Sequence, residues 1–108
     1  MKQDRVLALL GLAQRAGKVK SGGFMTESSV KEYKAFLVIV AKDASDNTYK
    51  DFKNMCSFYD TPFRGYATKE ELGHAIGKEM RSSLAVTDEG LAKEIIALID
   101  GGSLDGKN

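Results

Sequence analysis

Cysteine, proline, histidine and tryptophan are nearly missing from this chain, which has one each of the first three and none of the last. Cys56 alone can form no internal disulfide and no cysteine-rich zinc site, so a reducing cytosol fits best. No His/Cys cluster offers ligands, and neither a metal nor a cofactor is expected. Long apolar runs are missing too. The longest, Ala35 to Ala41, is far short of the ~20 residues a membrane span needs. The first residues do not read as a signal peptide: Asp4 and Arg5 precede a stretch punctuated by Gly11, Gln14 and Arg15. A cytoplasmic protein without a membrane partner is the expectation. An excess of charge of one sign is also absent, with 16 Lys+Arg against 15 Asp+Glu. Any polyanion must therefore be held by local charge and not by the total.

What is present is ordinary globular composition. Hydrophobic residues make up 43% and charged residues 29% of 108 residues, enough for one domain with one core. The single domain is expected over residues 1–102, with 103–108 as a flexible tail. Charge is uneven along it. Lys2, Arg5, Arg15, Lys18 and Lys20 face only Asp4 in the first twenty residues. That cluster is either an anion-facing edge or a set of cations complementing the negative pole of a helix.

Helical and strand patterns alternate along the whole length. Val6, Leu9, Leu10 and Ala13 recur at helical spacing, and Gly17 ends the pattern as a left-handed cap would. Lys18 to Lys20 suits a small edge strand. Ser21 can cap a second helix, with Gly22 and Gly23 in its first turn, running to about Lys34 and burying Val30 and Tyr33. Ala35 to Ala41 is apolar on both faces and reads as a central strand covered on both sides. Ser45 or Asp46 caps a third helix with Tyr49, Phe52, Cys56 and Tyr59 on one face. Pro62 opens a strand through Tyr66, and Thr68 with Glu71 has capping-box spacing for a short helix ending at Gly77. Ser82 to Thr87 is a further core strand. Asp88 starts a last helix that Gly101-Gly102 end. The simplest solution is an α/β fold, a three-layer α/β/α sandwich with a small mixed sheet.

Catalytic groups are scarce. The chain holds neither a Gly-x-Ser-x-Gly elbow nor a phosphate-loop signature. His74 reads as a surface histidine and Cys56 as a buried, inert thiol. Glu70-Glu71 and Asp88-Glu89 lie at helix starts, where they complement the dipole. No enzyme activity is expected. Two segments carry binding chemistry instead. Ser21-Gly22-Gly23, after Lys18 and Lys20, is either a tight turn or a place where helix amides meet a phosphate. The turn from Gly77 to Ser83 carries Lys78, Met80 and Arg81. Its cations can hold phosphates while Met80 packs on a base, or Met80 can tuck inward.

Taken together, longer stretches carry a resemblance. They are Gly11-Leu12-Ala13-Gln14-Arg15-Ala16-Gly17-Lys18-Val19, Ser21-Gly22-Gly23, the strand from Phe36 to Ala44, Lys69 to Glu79, and Ala85-Val86-Thr87-Asp88. From about residue 5 to residue 100, the chain is similar to the kink-turn RNA-binding ribosomal protein family, the L7Ae group, and most like its small bacterial YlxQ-type members. The resemblance implies a non-catalytic protein that inserts the start of its second helix into sharply bent RNA and covers an extruded base with the later loop. Structured RNA, ribosomal or another kink-turn RNA, is the partner it implies, with ribosomal proteins beside it and no DNA. The residues implied in RNA contact are Lys18, Lys20, Gly22, Gly23, Phe24, Met25, Thr26, Lys42, Lys78, Met80, Arg81 and Ser82. The family's opening Gly matches Gly22. Its base-reading polar pair falls on Phe24 and Met25, and its following Lys on Ser28. An adaptor that has kept the scaffold and lost the RNA code is the alternative. A nucleotide-binding enzyme would rest on Ser21-Gly22-Gly23 alone.

Overall fold

The computed structural model describes residues 4–105, along which helices and strands alternate. In chain order they are α1 (Arg5–Arg15), β1 (Val19–Ser21), α2 (Gly23–Lys31), β2 (Leu37–Val40), α3 (Asp46–Tyr59), β3 (Phe63–Gly65), α4 (Lys69–Ala75), β4 (Ser83–Val86) and α5 (Glu89–Asp105). The sheet order is β1-β4-β2-β3. β2 and β3 are parallel, whereas β4 runs antiparallel to both β1 and β2. All residues of β2 and β4 are buried, as the unbroken apolar run predicts for central strands.

Side-chain alternation along those strands divides the core in two. Leu37, Ile39, Leu84 and Val86 join Val6, Leu10, Leu72, Ile76 and Ile95 under α1, α4 and α5. Val38, Val40 and Ala85 point the other way, onto Val30 of α2 and Phe52 and Cys56 of α3. The result is the expected three-layer sandwich with a mixed sheet.

Local chemistry sets the element ends. Asp4 caps α1, Ser45 caps α3, and Thr68 with Glu71 closes the capping box of α4. Gly17, at φ 74°, ends α1: the Gly17 N–H donates to the Gln14 carbonyl and the Lys18 N–H to the Ala13 carbonyl.

Some expectations shift. The first strand is Val19–Ser21 and not Lys18–Lys20, because the Lys18 amide is used in the α1 cap and Val19 is the residue that pairs with Val86. Ser21 does not cap α2; Gly22 does, at φ 92°. α2 stops at Lys31, and Tyr33 is 73% exposed instead of buried. The cause is a second left-handed closure, with Tyr33 at φ 59° and the Lys34 N–H donating to the Ser29 carbonyl. α5 runs past Gly101-Gly102 to Asp105. A helical glycine costs only about 1 kcal/mol relative to alanine, so it does not compel a stop. Residues 106–108 of the expected tail lie outside the described residues.

Candidate nucleic-acid interface

The topology brings the carboxyl ends of β1, β2 and β3 to one end of the sheet, together with the start of β4. Hydrogen bonds run across that end as a row. The Gly22 N–H donates to the Ser83 carbonyl (3.0 Å), the Ala41 N–H to the Ser82 carbonyl (2.9 Å) and the Lys42 N–H to the Ala67 carbonyl (2.8 Å). Adjacent strands lie about 4.8 Å apart, so Gly22 and Lys42 flank the start of β4 at roughly 10 Å. The crevice beyond the carboxyl ends of strands is a common place for ligands in α/β sheets.

At one side of the row lies the start of α2. Asp4, Ser45, Thr68 and Asp88 each accept an amide hydrogen bond at the start of α1, α3, α4 and α5. Gly22 offers α2 no such side chain. The amides of Gly23, Phe24 and Met25 are therefore open to solvent or to an anion, at the positive end of the helix dipole. The backbone at φ 92° requires glycine, which also lets a ligand approach. Phe24 is 81% and Met25 42% exposed, so the start of α2 presents an open apolar pair.

Beside it lies the loop from Gly77 to Ser82. Gly77, at φ 71°, turns the chain off α4, and the Lys78 N–H donates to the Gly73 carbonyl (2.8 Å). The loop then passes directly over Gly73. A Cβ there would lie 2.6 Å from the Glu79 carbonyl carbon and 3.0 Å from Met80 Cα. The Arg81 N–H donates to the Lys69 carbonyl (3.0 Å). Met80 stands out at 62% exposure and does not tuck inward. With Lys78, Glu79, Arg81, Glu70 and His74 it rims a depression of about 500 Å³.

Most of the residues singled out in the sequence converge here. Lys20 precedes Ser21 on the edge strand, and Lys42 and Lys78 flank the loop, all exposed. Among the described residues, none of these lysines is paired with a carboxylate. Lys18 is not brought here: its carbonyl accepts from the Thr87 N–H, at the far end of β4. About 10 Å of strand separates it from the lip. Thr26 is fully buried, and its hydroxyl oxygen accepts from Ser83 Oγ (3.3 Å), so it braces the turn from inside. Ser28 donates to Glu32 (2.9 Å) along α2. Ser21 is half-buried, and its hydroxyl oxygen accepts from Arg81 Nε (3.2 Å). Gly73 was not singled out, although a glycine inside an apolar helical pattern, away from either cap, is a signal of close backbone approach.

Tyr66, at the end of β3, donates its hydroxyl to Asp4 (2.7 Å). Burial, then that bond, pushes its pKa up to about 12, so it stays neutral. No cluster of His, Cys, Asp or Glu among the described residues can hold a metal ion. No helix among them is long and apolar enough to cross a membrane.

Comparison with known proteins adds an independent line. Residues 4–96 match the model of the ribosomal protein L7Ae/L30e/S12e/Gadd45 family. The RNA-binding protein YlxQ of Bacillus subtilis is 42% identical over 92 residues, covering 85% of this chain and 92% of its own length. A protein of the same name from Enterococcus faecium is 37% identical over 99 residues, covering 92% of this chain and 95% of its own. A Bacillus halodurans protein of unknown function superposes with TM-score 0.88 at 35% identity, over 91% of this chain and 99% of that one. The Giardia lamblia 15.5kD RNA binding protein shares the fold at TM-score 0.78 and 20% identity, over 94% of this chain and 92% of its own.

Proposed function

The chain belongs to the ribosomal protein L7Ae/L30e/S12e/Gadd45 family, and from that premise we propose that it binds structured, kink-turn-like RNA in the cytoplasm without chemistry of its own. Ribosomal RNA or another RNA with the same bend is the partner, with ribosomal proteins as neighbours. The observation that carries the reading is the hydrogen bond from the Gly22 N–H to the Ser83 carbonyl. It sets the uncapped start of α2 directly beside the loop that exposes Met80.

Each part has a role that follows from its chemistry. The amides of Gly23, Phe24 and Met25 meet a phosphate at the bend. Lys20, Lys42 and Lys78 hold flanking phosphates, each contributing about 0.9 to the slope of log affinity against log salt. Phe24 replaces base-edge hydrogen bonds by stacking, worth about 1–3 kcal/mol per base. Met80 covers an unstacked base. Loss of two base-edge contacts and a cation weakens specific binding by roughly two to four powers of ten relative to the polar family pattern. Shape and phosphates carry most of the affinity that remains.

The test is an anisotropy titration against a kink-turn RNA and a straight duplex of equal length. Binding at least tenfold tighter to the bent RNA is expected. Equal, weak binding to both removes the specific reading. The 81% exposure of Phe24 also favours a second reading, a ribosome-associated adaptor that docks a protein through this pair. In that case Phe24→Ser leaves RNA affinity unchanged and abolishes capture of the protein partner.

A further inference from the structure

Resting on the RNA-binding reading above, we propose that Arg81 is a positioning residue, a latch that ties the base-covering loop to the end of β1 and leaves phosphate contact to the lysines. Its guanidinium reaches in two directions. Nε donates to Ser21 Oγ (3.2 Å), across 60 positions of sequence. Nη1 donates to the carbonyls of Met80 (3.0 Å) and Glu79 (3.3 Å). One rigid, planar fork therefore joins the residue before the α2 cap to two consecutive carbonyls of the loop.

The surroundings fit this role. Arg81 is half-buried, whereas Lys78 in the same loop is exposed. The loop is pinned from below by the bare Cα of Gly73 and by the Lys69 carbonyl. It has no apolar anchor of its own, because Met80 is 62% exposed. The latch supplies the missing tie from the side. It also occupies the Glu79 and Met80 carbonyls. A lysine has the charge and lacks the fork, so it cannot span Ser21 and two carbonyls together.

The experiment uses the full chain and a kink-turn RNA carrying 2-aminopurine at the bulge, titrated at several KCl concentrations. For Arg81→Ala, affinity falls about tenfold at every salt concentration, as expected for loss of a charged hydrogen-bond network, and the salt slope is unchanged. Arg81→Lys fails to restore it, and Ser21→Ala weakens binding in the same direction. The 2-aminopurine signal of the covered base changes in all three. Lys78→Ala is the contrast and lowers the slope by about one. In the free protein, the loop amides of Lys78 and Arg81 exchange faster with solvent in Arg81→Ala than in the wild type. A slope reduced by about one in Arg81→Ala, or full rescue by Arg81→Lys, overturns the latch in favour of a phosphate contact. Unchanged amide exchange also overturns it. If the wild-type protein binds no kink-turn RNA, the RNA reading fails, while the exchange comparison still decides the latch.

Discussion

Replacing Gly73 by alanine tests how the Gly77–Ser82 loop is held. In an ordinary helix interior this change stabilises by about 0.5–1 kcal/mol, because alanine is the better helix former. Here the new Cβ would lie 2.6 Å from the Glu79 carbonyl carbon and 3.0 Å from Met80 Cα, both backbone atoms. The Glu79 carbonyl oxygen would be nearer still and overlap the new Cβ, and carbon atoms pack at about 3.5–4.0 Å, so the loop must retreat by more than about an ångström. Overpacking of this kind costs about 1–3 kcal/mol, which outweighs the helical gain. The sign should therefore reverse, giving a net loss of about 1 kcal/mol, or about 4–8 °C in Tm for a domain of this size. RNA affinity should fall as well, because Met80 moves with the loop. Urea denaturation and anisotropy titration measure the two effects. Gly90→Ala is the control, since its Cβ would meet only Asp88 Oδ2 at 3.5 Å, an ordinary contact; it should not destabilise. A Gly73→Ala protein as stable as the wild type, with unchanged affinity, would refute the close packing of the loop on Gly73.

Three further outcomes follow from the core and the surface. Val38, in mid-sheet, is fully buried, so Val38→Asp strands an unpaired charge at a cost of several kcal/mol; a soluble protein with a cooperative melt by circular dichroism would contradict the central strand. Burial pushes the Cys56 thiol up to about 11, so thiol reagents at pH 8 should label it only as fast as the protein unfolds; rapid stoichiometric labelling of the native protein would show otherwise. Arg64 Nη2 lies 2.7 Å from Asp100 Oδ2, and that hydrogen bond, more than the charge attraction, lowers the Asp100 pKa. Because the folded value lies below the unfolded one, the stability it adds is present above the ordinary carboxylate range and is lost as pH falls through the folded value. In urea titrations against pH, Asp100→Asn should flatten the acid limb by less than about 1 kcal/mol, since solvent reaches and screens the partly exposed pair; an acid limb identical to the wild type would discount the pair.

Much of this protein was legible along the chain, because local chemistry writes element identity locally. The all-apolar Leu37 to Val40 had to be covered on both faces. Gly17, Ser45 and the Thr68/Glu71 pair marked helix ends through the hydrogen bonds that orphan backbone groups require. The stretches from Gly11 to Val19 and from Lys69 to Glu79 carried the family resemblance. Neighbourhood across the sheet is different, since it depends on strand order, and β4 inserts between β1 and β2. That insertion alone puts Gly22 against Ser83 and lets Arg81 reach Ser21. The extension of β1 likewise puts Lys18 at the opposite end of the strand from Gly22, although it is only four residues away in sequence. Whether Thr26 and Phe24 faced solvent or core was settled by which side of α2 packs on the sheet. Residue types and their spacing determined the layers and the elements; only the folded topology, which sums contacts between residues sixty positions apart, decided which of the candidate residues share one surface.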